Sequence, residues 1–102
     1  MQDTIRTIGE RAFAFTNIQS INFPYGLQTI GYHAFEFSKI QGAVVIPDTV
    51  ISLGEGVFYH NYGIKKAEIY ASCDIGENMF YDCPGLEEVI IGDKVTGIGS
   101  LA

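Results

Sequence analysis

An Ile-Gly or Leu-Gly pair returns along this chain at Ile8-Gly9, Ile30-Gly31, Leu53-Gly54, Ile75-Gly76 and Ile98-Gly99, at intervals of 22, 23, 22 and 23 residues. Five residues after each of the first four comes a phenylalanine: Phe13, Phe35, Phe58 and Phe80. The residue before it is small or apolar: Ala12, Ala34, Val57 and Met79. Ile18, Ile40, Ile64 and Leu86 follow, then the alternating pairs Ile21/Phe23, Val44/Ile46, Ala67/Ile69 and Val89/Ile91. Leu27, Val50, Cys73 and Val95 precede the next Ile-Gly. So many columns in one register mean a small unit that cannot bury its apolar face alone and must stack on copies of itself.

The register drifts only locally. The second repeat has one extra residue between Ile40 and Val44; the third has one extra near 59–63 and one fewer before Ile75. Such changes belong in the loops of a coil.

The 14 Ile and 6 Val against 4 Leu, with 13 Phe and Tyr, suit a pleated surface and make the units mainly β. At 47% apolar the chain is no disordered polymer. We therefore expect a mainly β solenoid: a right-handed stack of about four coils of 22–23 residues. Short parallel strands at 20–23, 44–46, 66–69 and 88–91 would line a concave sheet. The Ile-Gly segments would bridge on the return side, with the glycine easing a turn. Glu10, Glu55 and Glu77 would open a short helical or 3-10 turn, where acids favour the positive N-terminus. The phenylalanines would stack through the core. One domain, 1–102, is expected, with repeats 8–29, 30–52, 53–74 and 75–97 and a truncated fifth from 98.

The pattern Ile-Gly-x-x-Ala-Phe, then Ile/Leu-x-x-Ile-x-Ile-Pro, resembles the BspA-type leucine-rich repeat. It is clearest in the first two repeats, where Pro24 and Pro47 close the alternating run; Tyr70 and Gly92 take that place later, and Val57 and Met79 replace the alanine. The resemblance implies a leucine-rich-repeat fold. It also implies a cell-surface or secreted location, as in proteins of mucosal bacteria and protist parasites, and binding to host or neighbouring-cell proteins in an adhesion role.

The net charge of −6 offers no basic stripe to nucleic acid or anionic lipid. No apolar run approaches a membrane span, and the opening residues carry no signal-peptide pattern. We expect no catalytic residue, cofactor or metal site. Gly97-Ile98-Gly99 belongs to the repeat and not to a nucleotide loop. His33 shares a permissive column with Arg11, Gly56 and Asn78 and is expected to be exposed. His60 and Asp82, one coil apart, read as a surface pair with no nucleophile aimed at them. Cys73 and Cys83 fall at opposite parts of a coil and read as two free, buried thiols.

What remains is surface. The outward strand residues Ser20, Asn22, Val45, Lys66, Glu68, Glu88 and Ile90, together with Tyr59, Tyr70 and Tyr81, form the candidate protein-binding face. Lys66 and Glu88 are expected to pair across strands. The reading is a non-enzymatic protein-interaction module, with a spacer that holds another domain as the alternative. Ser100-Leu101-Ala102 stands where a new coil begins. The C-terminal end therefore reads as a cut that leaves Phe80, Leu86, Val89 and Ile91 open and favours self-association through uncapped ends.

Overall fold

Successive Ile-Gly segments and alternating segments each lie beside their equivalents one coil on. The computed structural model describes residues 5–99 and contains six strands: β1 (Thr7–Ile8), β2 (Thr29–Ile30), β3 (Gly42–Ile46), β4 (Ser52–Leu53), β5 (Ile64–Ile69) and β6 (Glu88–Ile91). They form two parallel three-stranded sheets, β1-β2-β4 and β3-β5-β6. The result is a parallel β-solenoid of about four turns, 27 × 27 × 20 Å. The large sheet turns Val44, Ile46, Ala67 and Ile69 inward, all essentially without exposure. In between, the phenylalanine ladder runs as expected: Phe13–Phe35, Phe35–Phe58 and Phe58–Phe80 stack at 5.2, 5.7 and 5.6 Å. Phe23 closes the ladder edge-on against Phe35 and Phe58.

Two irregularities follow from the drift of the repeat. The extra residue of the second coil is absorbed at Gly42, whose φ of +81° suits glycine, and the β3–β5 register shifts between Gly42 and Ala43. The first coil has no strand in the large sheet: residues 20–23 are unassigned, and the Lys39 and Gln41 amides reach only Ile18 and Gln19. The residue missing before Ile75 interrupts the return-side sheet after β4; pairing resumes as the single bridge Ile75–Ile98.

The glycine of each Ile-Gly is not needed for an unusual turn, because its φ is ordinary. From the second coil on it lets coils touch: a Cβ on Gly31 would lie 2.8 Å from the Glu10 nitrogen, and one on Gly54 would lie 2.5 Å from that of Tyr32.

The expected helical or 3-10 turns are absent among the described residues; linked turns take their place. In two columns, Arg11/His33/Gly56/Asn78 and Phe15/Phe37/His60/Asp82, every residue has φ between 50° and 63°. This path points alternate amides along the stack. Phe35 and Phe37, for example, donate to the Val57 and Tyr59 carbonyls at 2.9 and 2.8 Å. Each such bond contributes roughly 0.5–1.5 kcal/mol net, which offsets the roughly 1–2 kcal/mol of a left-handed L-residue.

Candidate functional site

The strand register assembles the predicted sheet face. Val45, Glu68 and Ile90 form one outward row, and Ala43, Lys66 and Glu88 form the next. The Lys66 ammonium lies 3.8 Å from both Glu68 and Glu88, so the expected cross-strand pair forms and shares its cation. The Tyr70 hydroxyl donates to Glu68 at 2.5 Å. That bond, then burial, holds the phenol above its ordinary pKa. Ser20 and Asn22 are exposed on the unassigned first-coil segment, and Asn22 meets Val45 in a shallow groove. Beyond the strand ends, Tyr25, Pro47, Asp48, Tyr70 and Lys94 line an open cleft of about 340 Å³.

Tyr59 and Tyr81 do not join that face. They stack on each other at 5.1 Å on the turn side of the coils. Tyr59 is partly buried, and burial followed by Tyr81, Glu36 and Asp82 raises its pKa. It also stacks on His33, 5.0 Å away. The expectation of an exposed His33 is wrong. The side chain is buried, sandwiched between Tyr32 and Tyr59, and its Nδ1 lies 2.7 Å from Glu36. The left-handed backbone of this column folds the ring onto the next coil, over Gly56, which has no Cβ to block it. Gly56 and Asn78 in the same column were the available signal, since both tolerate positive φ.

His60 and Asp82 do meet, at 2.7 Å and partly exposed, with the Tyr62 hydroxyl 3.5 Å from the same carboxylate oxygen. Phe37 packs edge-on against Tyr62 and stacks on Phe15. These contacts join with Tyr59–Tyr81 through His60, so one aromatic strip runs across all four coils. Individual exposed tyrosines were foreseen; their continuity was not, because it depends on the outward left-handed column.

Asn61 was also missed as a structural polar group. Wholly buried, it donates to the Phe35 carbonyl at 2.8 Å and accepts from Ser38 at 2.5 Å. Cys83 occupies the same column one coil on, and its thiol donates to the Phe58 carbonyl at 3.1 Å. Both cysteines are free; Cys83 is buried, whereas Cys73 is only partly so. Burial pushes the Cys83 thiol up to about 11, and its neighbour Asp82 adds to the rise. Among the described residues no three His, Cys, Asp or Glu side chains converge as metal ligands. Nor is any helix there long and apolar enough to cross a membrane.

The C-terminal face is less open than expected at one point. Phe80 is only 8% exposed, while Val89, Ile91 and Ile98 are 42%, 40% and 64% exposed.

No curated protein and no solved structure matches the chain. A family model described as a BspA type leucine rich repeat region (6 copies) matches residues 1–102. Such repeats often mediate protein interactions, and such solenoids are typically non-enzymatic. With the ladder, the paired Ile-Gly segments and the parallel sheet all in the repeat's register, the chain belongs to the BspA-type leucine-rich repeat family.

Proposed function

We propose that the chain is a protein-binding module of an adhesion-type protein at a cell surface or outside the cell. The observation that carries this reading is the joining of side chains from successive coils into continuous outward surfaces. Val45, Glu68 and Ile90 form such a row on the sheet, and Tyr59 with Tyr81 form one on the turn side. A surface of this kind is the way solenoids engage proteins. The test is binding of the isolated chain to surface proteins of neighbouring cells. Two double variants accompany it: Lys66→Ala with Glu88→Ala, and Tyr59→Ala with Tyr81→Ala. Weakened binding in either supports the module. Unchanged binding in both overturns the placement, and no binding by the chain alone leaves the role of spacer.

We further propose self-association of the 102-residue chain. Ile69, Ile75, Phe80, Val89, Ile91 and Ile98 line an apolar recess of about 290 Å³ beyond the fourth coil. These are the columns through which the third coil receives the fourth, so the matching occupant is another coil of the same repeat, here from a second copy.

A further inference from the structure

The aromatic strip has a chemical bias. Its exposed rings include Phe37, Tyr62 and Tyr81, each 37–49% exposed. A contiguous apolar patch on a surface is a feature of interaction sites, whereas single exposed rings are ordinary. Carboxylates lie beside them: Asp82 touches His60 and lies near the Tyr62 hydroxyl, and Glu36, bound to His33, acts with Asp82 on Tyr59. The chain already places two of its own cations on this strip: the Arg11 guanidinium lies 5.5 Å from the centre of the Tyr32 ring, and the Lys39 ammonium lies 6.0 Å from that of Phe37. An aromatic face attracts cations through its quadrupole, and flanking carboxylates strengthen the attraction. The same carboxylates repel phosphate backbones and acidic peptides.

We propose that the strip is the docking site for a cationic, Arg- or Lys-bearing segment of a protein partner. Its charged side chains lie on Phe37, Tyr62 and Tyr81 and are met by Asp82. This rests on the reading of the chain as a protein-binding module and names the class of partner. Lys39 then acts as a built-in competitor for the Phe37 ring.

The probe is a dye-labelled peptide of alternating Arg and Gly, titrated into the full chain at near-physiological salt and followed by anisotropy and amide chemical shifts. A Glu-Gly peptide serves as comparator. The expected result is saturable binding of the basic peptide alone, with shifts at Phe37, Tyr62, Tyr81 and Asp82. Tyr62→Leu, Tyr81→Leu and Asp82→Asn should each weaken binding about two- to fivefold. Leucine keeps apolar bulk, and matched thermal melts identify any variant that fails to fold. Lys39→Gln should tighten binding by a similar factor. Lys94→Gln, the same charge change beside Asp48, should not; a gain of that kind cannot come from misfolding. Absence of saturable binding overturns the proposal, as do equal effects of the two lysine variants or leucine variants that bind normally. Shifts confined to Lys66, Glu68 and Glu88 overturn the strip but leave the module reading intact. That reading fails separately, through absence of any partner for the chain.

Discussion

The His33 imidazole lies across Gly56, its column-mate one coil on, where any Cβ would overlap the ring. The same glycine has a φ of +63°. Gly56→Ala therefore meets both a left-handed backbone and an occupied space, and should destabilise by about 1–3 kcal/mol in urea melts. Gly9→Ala is the control: φ there is ordinary and nothing lies within 4 Å of the new methyl, so its effect should be small. Equal losses would mean that His33 does not occupy this position.

The phenylalanine ladder should dominate stability. Phe35 and Phe58 are fully buried, so truncating either to Ala should cost about 3–5 kcal/mol. Phe15 is 67% exposed, and Phe15→Ala should cost clearly less. Chemical denaturation of the three variants checks the order.

Asn61→Ala should cost more than Ser38→Ala. Removing the amide leaves both the Phe35 carbonyl and the Ser38 hydroxyl without their partner, at roughly 1–3 kcal/mol for each buried group. Removing the hydroxyl leaves Asn61 its bond to Phe35. A reversed order in denaturation midpoints would remove Asn61 from its central position.

Cys73 should be alkylated well before Cys83, because the thiolate is the reactive form and Cys83 is both buried and held near a pKa of about 11. Timed labelling with mass spectrometry reads the order. The raised value also sets a stability slope. Below the ordinary thiol value of 9.0 both states keep the proton. Between that value and about 11 the unfolded chain loses it first, so the Cys83 contribution is lost as pH rises. Cys83→Ala should flatten that alkaline decline, whatever it does to stability at neutral pH.

Sedimentation across a concentration series tests the apolar recess. The expected outcome is concentration-dependent association that Ile98→Lys or Val89→Lys reduces. A strict monomer at high concentration would rule it out.

Much of this protein was legible in its residues because a repeat is read column by column. A column that is apolar in every cycle can only be core, and so the ladder, the inward strand positions and the Lys66–Glu88 pair followed from spacing alone. Single insertions were legible as well, though not their consequence: the β3–β5 register shifts between Gly42 and Ala43, because pairing depends on the register of two coils at once. Tertiary structure decided the rest. The backbone sign in the Arg11/His33/Gly56/Asn78 column is a property of the stacked turn, set by amides that must reach the next coil. Packing against the neighbouring coil then turned His33 inward over Gly56, while Phe15, Phe37 and His60, in the second left-handed column, face outward into one strip. A sequence lists which residues share a column. Which side of the chain the column faces is settled only when the neighbouring coil supplies the hydrogen-bond partners.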